Sequence, residues 1–171
     1  MALQDWLESV YREEAPVLFR FLFRLTGDEG ETRDVLQEIF VRLAKTPGLL
    51  DGVAARRSFL FRMAHRLVID RYRREQTRQE YDDRAGQERE TFTRPEPAAA
   101  DVAWLQKVLA SSLDALPPEQ KAVVILKVWE EMTFAEIAGL LDISANTAAS
   151  RYRYALDKLR EELRPLQQDL P

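Results

Sequence analysis

The sequence contains no cysteine and a single histidine, His65. The absence of cysteine excludes disulfide scaffolds, thiolate metal sites and cysteine nucleophiles, and one histidine excludes a metal site built only from imidazoles. A histidine-based hydrolase is disfavoured for the same reason. We therefore expect no metal, no cofactor and no catalytic residues, and an enzyme is the least favoured class of protein.

Long hydrophobic runs are also missing. The longest unbroken apolar stretch is Ala122–Leu126, far shorter than the ~20 residues that a membrane-spanning helix needs. The first residues, MALQDWLESVYREE, carry acidic side chains and lack the apolar core of a signal peptide. These features predict a cytoplasmic protein that does not insert into a membrane.

Glycine accounts for only 6 of the 171 residues, and segments of alternating β-branched residues are absent. Leucine, alanine, glutamate, arginine and glutamine dominate instead, and all of them favour helices. The predicted fold class is therefore all-α. The 46% apolar content suits one ordinary domain or two very small ones.

Apolar residues recur at helical spacing over residues 3–25, 31–45 and 54–75, so each of these ranges is predicted to form a helix. Pro16 lies within the first range, where it either begins a second helix or kinks the first. The tripeptide Thr26–Asp28 is a stop signal because it contains a glycine directly after the apolar stripe.

The periodicity disappears over residues 76–100, where Pro95 and Pro97 also disfavour a helix. We expect a flexible, acidic linker here, followed by a new apolar stripe and by a helix that Pro117 and Pro118 open. The predicted organisation is two small helical domains joined by this linker: 1–75, 76–100 and 101–171.

The net charge of −4 conceals a strong segregation of charge. Residues 56–78 carry 8 basic and 2 acidic side chains, and residues 145–160 carry 4 basic side chains and 1 acidic one. Because local potential governs binding to phosphates, both segments are candidates for nucleic-acid contact. Solvated helix faces are the alternative explanation for such basic runs.

The most informative stretch is residues 133–164. Thr133 and Glu136 have the spacing of a capping box, which predicts the start of a short helix. A three-residue turn follows, in which Asp142 is expected to need a positive φ and Ser144 is a good N-cap for the next helix.

The predicted second helix presents side chains that can read base edges or hold phosphates. They are Asn146, Thr147, Ser150, Arg151, Arg153 and Tyr154. A short helix, a tight turn and a longer polar helix together predict a helix-turn-helix, and an ordinary helical hairpin is the alternative.

These motifs resemble the sigma factors of the extracytoplasmic-function (ECF) group of the sigma-70 family. Asp34–Leu43 (DVLQEIFVRL) is similar to the sigma domain 2 helix that docks on the β′ clamp helices of RNA polymerase. Ser58–Ala64 and Leu67–Arg74 (SFLFRMA, LVIDRYRR) resemble the helix that melts and reads the −10 element. Sigma domain 4 is resembled by Leu116–Lys121, Val123–Leu126 and Thr133–Leu141, and also by Ser144–Leu163, which would be its −35-reading helix.

The resemblance implies a transcription initiation factor with three contact surfaces. For core polymerase the matching positions are Asp34, Gln37, Glu38 and Phe40, on the helix that docks on the β′ clamp helices; the resemblance also implies the β flap of core polymerase as a partner. For the single-stranded −10 element they are Phe59, Arg62, Arg66, Asp70, Arg71, Arg73 and Arg74. For the −35 duplex they are the six polar residues of the second helix named above. The resemblance also implies an anti-sigma factor as a partner.

Several of these positions have a second interpretation. Phe40 either anchors the polymerase contact or belongs to the core. Phe59 and Phe61 lie beside arginines, as in proteins that stack single-stranded bases, and we expect one of the two to be core. His65 is either solvated or capping, or it has a role at DNA.

Four positions depart from the family pattern. Phe59 stands where tryptophan is frequent, Arg66 where asparagine is, Ala149 where lysine is and Tyr154 where arginine is. The promoter preference is therefore not predicted.

Three other functions compete with a sigma factor. A dimeric helix-turn-helix regulator would bind a palindrome without polymerase, but its dimerisation unit needs no arginine face. A sigma-like decoy would need a receiver domain, for which the chain shows no α/β pattern. An enzyme would need carboxylates in a pattern that raises a pKa or binds a metal, and none is evident.

Overall fold

A computed structural model describes residues 3–46, 48–53, 55–84 and 102–167. Within these ranges the chain forms helices and no strand, so the all-α prediction is confirmed. The helices are α1 Leu3–Thr26, α2 Glu29–Lys45, α3 Arg56–Arg84, α4 Val102–Asp114, α5 Pro118–Val128, α6 Phe134–Leu141 and α7 Ala145–Gln167.

Helix α1 is continuous and contains Pro16. The alternative in which Pro16 begins a second helix is therefore wrong. Helix α1 ends at the predicted stop signal, where Gly27 adopts a φ of +73°. The next residue, Asp28, caps α2 by accepting a hydrogen bond from the Glu31 backbone N–H at 2.7 Å.

Helix α3 is longer than the sequence predicts. It continues through residues 76–84, which we assigned to the start of the linker. These residues lack apolar periodicity, but they contain no glycine or proline and are rich in helix formers, so a fully polar helix can continue. Residues 85–100, the rest of the proposed linker, lie outside the described residues, as does residue 101.

The core of the N-terminal unit lies between α1, α2 and α3. Leu18, Phe21, Ile39, Leu43 and Leu60 are all fully buried there. In the C-terminal unit α5, α6 and α7 pack around residues such as Val123, Ile137 and Ala148.

The two units are not independent of each other. Helix α3 packs on α5 and α6, and α1 packs on α5. Buried residues of both units form one continuous hydrophobic cluster. No helix in the described part of the chain is long and apolar enough to cross a membrane.

Candidate nucleic-acid interface

The first helix of the predicted motif begins with the expected capping box. The Thr133 hydroxyl oxygen accepts a hydrogen bond from the Glu136 backbone N–H at 3.2 Å, and a Glu136 carboxylate oxygen accepts one from the Thr133 backbone N–H at 2.7 Å. The Glu136 carboxylate also accepts a hydrogen bond from the Thr133 hydroxyl at 2.7 Å, and the bonds from the Thr133 backbone N–H and hydroxyl hold the pKa of Glu136 below its ordinary value. The start of α6 is therefore fixed locally.

The turn between α6 and α7 also has the predicted geometry. Asp142 adopts the left-handed conformation, with φ +60° and ψ +48°. The Ser144 hydroxyl oxygen accepts a hydrogen bond from the Thr147 backbone N–H at 2.9 Å and so caps α7. Ile137, Leu141 and Ala148 are buried between the two helices. The helix-turn-helix prediction is confirmed.

The polar residues of α7 differ in how accessible they are. Asn146, Arg153 and Tyr154 are exposed, and the Arg153 guanidinium lies 5.2 Å from the centroid of the Tyr154 ring. Thr147, Ser150 and Arg151 are half-buried. The hydroxyls of Thr147 and Ser150 bond to neighbouring groups of the motif itself, on Ser144 and Asn146 respectively.

The two phenylalanines of α3 have separate environments. Phe61 is buried, and its ring centroid lies 4.9 Å from that of Phe21, so Phe61 is the core residue of the pair. Phe59 is half-buried and lines an open groove together with Arg62, Arg66, Asp70, Met63, Leu67, Arg42 and Asp142. An aromatic ring beside arginines is an arrangement that can stack a base and neutralise its phosphate.

Arg71 and Glu38, which the sequence assigns to two different surfaces, bind each other. The Arg71 guanidinium donates to the Glu38 carboxylate at 3.0 Å and so ties α3 to α2. This bond, together with one from Arg42, holds the pKa of Glu38 below its ordinary value. Arg74 and Asp70, by contrast, are exposed.

The predicted polymerase-binding residues of α2 also divide into two groups. Asp34 and Gln37 are exposed, whereas Phe40 is only 8% exposed and makes an edge-on contact with the Tyr11 ring at 4.8 Å. Phe40 is therefore a core residue, the second of its two interpretations. Beside Gln37 lies an apolar groove to which Tyr11 and Val41 contribute exposed surface.

Sequence reasoning missed Tyr11 and Val41. Val41 lies four residues after Gln37 on α2, and this spacing places both on one helix face. Tyr11 comes from another helix, so only the packing of α1 on α2 brings it there.

His65 is buried, so the solvated interpretation is wrong. It is 7% exposed, and its Nε2 has no hydrogen-bond partner among the described residues. Burial lowers its pKa from 6.5 to about 4, with further lowering by the nearby Arg151 and Arg66 and opposition from Glu119. His65 thus lies where α3 meets the C-terminal unit.

Arginines of α3 that the sequence assigns to the −10 element contact the helix-turn-helix unit. Arg62 donates to the Gly139 carbonyl oxygen at 3.4 Å. Arg66 pairs with Asp142 at 3.3 Å, and Arg73 pairs with Glu119 at 3.2 Å. No group of three or more histidine, aspartate or glutamate residues in the described ranges could hold a metal ion.

A helix-turn-helix unit joined to a second helical unit with an arginine-rich helix defines a bipartite α-helical DNA-binding protein. The comparisons with known proteins give the family. Residues 10–78 match sigma-70 region 2, and residues 106–159 match sigma-70 region 4. The chain belongs to the sigma-70 family, in its ECF group, and is a transcription initiation factor.

Individual relatives support this assignment. The chain is 31% identical over 163 residues to the ECF RNA polymerase sigma factor SigL of Mycobacterium tuberculosis, covering 94% of this chain and 90% of that protein. It is 35% identical to the RNA polymerase sigma-E factor of Streptomyces avermitilis, covering 91% and 84%.

The fold also matches a solved structure, that of the sigma factor RpoE in complex with the anti-sigma factor NepR from Bartonella quintana. The TM-score is 0.64 at 17% identity, covering 94% of this chain and 98% of that one. At this identity the match concerns the fold alone.

Proposed function

We propose that three separate surfaces of the chain carry out initiation: the exposed face of α2 binds core polymerase, α3 binds the single-stranded −10 element, and α7 reads the −35 duplex. The observation that carries this proposal is the arrangement of the DNA-contacting chemistry. One unit holds a capped helix-turn-helix, and the other holds an arginine-rich helix with a half-buried ring, Phe59. A dimeric regulator would not use the second of these surfaces.

For the −35 element, the polar side chains in the first half of α7 are suited to the major groove. Asn146 is able to pair with adenine, and Arg151 and Arg153 are able to bind guanine or phosphate. Thr147 and Ser150 hold the helix start and offer their remaining hydrogen-bonding capacity to the backbone of DNA. Tyr154 adds an exposed ring and a hydroxyl at the end of this surface.

For the −10 element, Phe59 is the stacking residue, and Arg62 and Arg66 bind the phosphates on either side of it. Arg73 and Arg74 continue this cationic path along α3. Two further residues of α3 have a structural or a selective role. Arg71 positions α3 through Glu38, and the exposed Asp70 carboxylate accepts a hydrogen bond from a base amino group.

For core polymerase, the polar pair Asp34 and Gln37 borders the apolar groove that contains Tyr11 and Val41. An apolar centre with a polar rim is the composition of a specific protein interface. Phe40 supports this surface from below, and Glu38 stabilises it through its bonds to Arg42 and Arg71. These features suit the β′ clamp helices, while the helix-turn-helix unit meets the β flap.

We also infer a partner protein and a location. The solved structure with this fold is a sigma factor bound to an anti-sigma factor, so we assign this chain a controlling partner of the same kind. Its place of action is the cytoplasm, where RNA polymerase works. Its activity is binding rather than catalysis.

The proposal is tested by size-exclusion chromatography of the purified chain with bacterial core RNA polymerase that lacks a sigma subunit. The wild type should co-elute with core polymerase, and Asp34→Ala/Gln37→Ala should weaken the complex by about tenfold. Glu75→Ala/Gln76→Ala is the matched control, since it removes one carboxylate and one amide at exposed positions of α3.

Phe40→Ala is unsuitable for this test, because emptying a buried aromatic site costs about 3–5 kcal/mol of folding free energy. Loss of binding would then report unfolding. Failure of the wild-type chain to co-elute, together with specific binding of duplex DNA by the chain alone, would support the dimeric regulator instead.

A further inference from the structure

A buried carboxylate of α1 binds two arginines at the start of α3. Glu14 is 4% exposed and is the one buried carboxylate in the described part of the chain. One of its oxygens, Oε2, accepts a hydrogen bond from Arg57 Nε at 2.9 Å, and the other, Oε1, lies 3.5 Å from Arg56 Nε. Both oxygens therefore face a cation, which compensates for the lost hydration of a buried charge.

The two arginines differ in how much of the guanidinium remains free. Arg56 is bound by two carboxylates, those of Glu14 and Glu13, and its side chain is 37% exposed. Arg57 is bound through its Nε, and its side chain is 58% exposed. A guanidinium can form parallel hydrogen bonds to a phosphate along a second edge. Arg57 can therefore be held by Glu14 and bind a phosphate at the same time.

The place of these arginines conflicts with the preference of the helix itself. They are the first two residues of α3, and the first turn of this helix contains no acidic residue. Because the start of a helix carries a partial positive charge, cations there destabilise it. Conflicts between local preference and fold are expected at functional positions. Glu14 offsets this conflict from another helix and leaves Arg57 at the surface.

Arg57 lies beyond one end of the surface that we assign to the −10 element. It precedes Phe59 by two residues, and the side chains of a helix lean towards its N-terminus. Arg57 also lines an open depression together with Trp6, Leu50 and Val53, so an extended strand can reach it from solvent. A strand that passes Phe59 towards the start of α3 would meet Arg57 next.

We propose that Glu14 is a positioning residue for binding of the −10 strand, because it holds Arg57 where this arginine binds a further DNA phosphate beyond Phe59. Glu14 itself does not touch the DNA. An arginine that is already held loses less side-chain entropy on binding, so the bond to Glu14 raises the affinity for DNA. This inference rests on the function proposed above, since it extends the strand path assigned to α3.

The phosphate contact is tested with Arg57→Gln, which changes an exposed side chain and leaves Glu14 beside Arg56. Fluorescence anisotropy of the full chain with a short, mixed-sequence, labelled single-stranded DNA measures affinity over a series of salt concentrations. Loss of one phosphate contact should lower the slope of log affinity against log salt by about 0.7. Arg33→Gln is the control, since it removes an exposed arginine of α2 that also pairs with one carboxylate. Equal slopes for the two variants would overturn the proposal.

The positioning role is tested by comparing Glu14→Gln with Glu13→Gln. Both variants change the net charge equally, but Glu13 is 53% exposed, whereas Glu14 is buried. A general charge effect would raise the affinity for DNA in both. Positioning predicts the opposite for Glu14→Gln, with an affinity about threefold below that of Glu13→Gln and a slope lower by up to about 0.7. A Glu14→Gln variant that binds this DNA as tightly as Glu13→Gln would contradict the positioning role.

A double variant separates action through Arg57 from general damage to the fold. If Glu14 acts through Arg57, then Arg57→Gln should change the slope by only about 0.2 or less in the Glu14→Gln background, against about 0.7 in the wild type. Independent, additive effects of the two substitutions would show that Glu14 does not act through Arg57.

Nuclear magnetic resonance of the arginine side chains gives a readout that does not require a Glu14 variant to fold. The Arg57 Nε–H resonance is identified by its loss in Arg57→Gln, and its proton should exchange slowly with water in the wild type, because Nε donates to a buried carboxylate. Adding the single-stranded DNA should shift this resonance. A resonance that DNA leaves unchanged would overturn the proposal even if Glu14→Gln were unfolded.

The same DNA separates failure of this inference from failure of the proposed function. Phe59→Leu, which removes the stacking ring and keeps an apolar side chain, should lower the affinity if α3 binds the strand. If Phe59→Leu has this effect and Arg57→Gln does not change the slope, only the inference about Glu14 and Arg57 fails. If neither variant affects binding, the assignment of α3 to the −10 element fails as well. Weaker co-elution of Arg57→Gln with core polymerase, at an unchanged slope, would place Arg57 in a protein interface instead.

Discussion

Asp142 shows at the scale of one residue how the helix-turn-helix is made. The sequence predicts a positive φ there, and the observed value is +60°. A left-handed backbone costs a residue with a Cβ about 1–2 kcal/mol relative to glycine, although aspartate tolerates it better than most. Asp142 stands at a position where glycine would relieve strain, and it pairs with Arg66.

We therefore expect Asp142→Gly to raise the free energy of unfolding by about 1 kcal/mol, because the relief of strain exceeds the loss of an exposed ion pair. Urea denaturation monitored by circular dichroism measures this change in the free energy of unfolding. Asp142→Ala is the control, since it removes the carboxylate and keeps the strain, and it should be destabilising. If both variants changed stability equally, backbone strain would not be the cause.

His65 gives the chain a pH-dependent stability. Burial lowers its pKa from 6.5 to about 4 in the folded state. The folded chain therefore prefers neutral His65. The contribution of the neutral ring to the free energy of unfolding is complete above about pH 6.5 and is lost as the pH falls towards 4, because the unfolded chain takes up the proton first. Over this pH range we expect the free energy of unfolding of the wild-type protein to fall by up to about 3 kcal/mol more than that of His65→Gln.

Urea denaturation at about pH 7 and about pH 4.5 checks this difference. Other carboxylates titrate in the same interval: the pKa of Glu38 is lowered by its bond to Arg71, and that of Glu31 is raised by burial. Both are present in wild type and variant, so their effects cancel in the comparison. Equal pH dependence in the two proteins would show that His65 is accessible to water.

At the scale of elements, the recognition helix α7 was predictable because its signals are local. The N-cap, the small residues towards α6 and the polar outer face all lie within about five turns of one another in sequence. The end of α3 was not predictable in the same way. Its last turns are polar throughout, so no apolar stripe marks them, and the helix continues on propensity alone.

Helix α7 also allows a prediction about DNA affinity. Ala149 stands where sigma domain 4 often has a lysine, and it lies half-buried near the start of α7. Ala149→Lys should add one phosphate contact and steepen the slope of log affinity against log salt by about 0.9 for duplex DNA.

Fluorescence anisotropy of a labelled duplex over a series of salt concentrations measures this slope. Gln106→Lys, which adds the same charge at an exposed position of α4, is the control and should change the slope little. An equal change in both variants would indicate a general charge effect rather than a contact made by α7.

At the scale of the whole molecule, the two units share one hydrophobic cluster. Structures whose apolar contacts are continuous tend to unfold in a single cooperative transition. We expect the urea transitions seen by far-ultraviolet circular dichroism and by tryptophan fluorescence to coincide. Trp6 reports on α1 and Trp129 on the end of α5, so fluorescence samples both units.

High salt provides the control for this prediction. It screens the exposed pairs between the units but leaves the apolar contact, so the transitions should still coincide. Two separated transitions in low salt would mean that the units fold independently, and the shared cluster would then contribute little to stability.

The sequence by itself determined the helical fold, the capping box at Thr133, the left-handed turn at Asp142 and the family, because each of these depends on residues close together in the chain. Tertiary structure decided which side chains are accessible. Packing places Phe40 and Phe61 in the core, buries His65 and pairs Arg66 with Asp142. Those outcomes depend on which helices meet, and spacing along one helix does not specify the helix that packs against it.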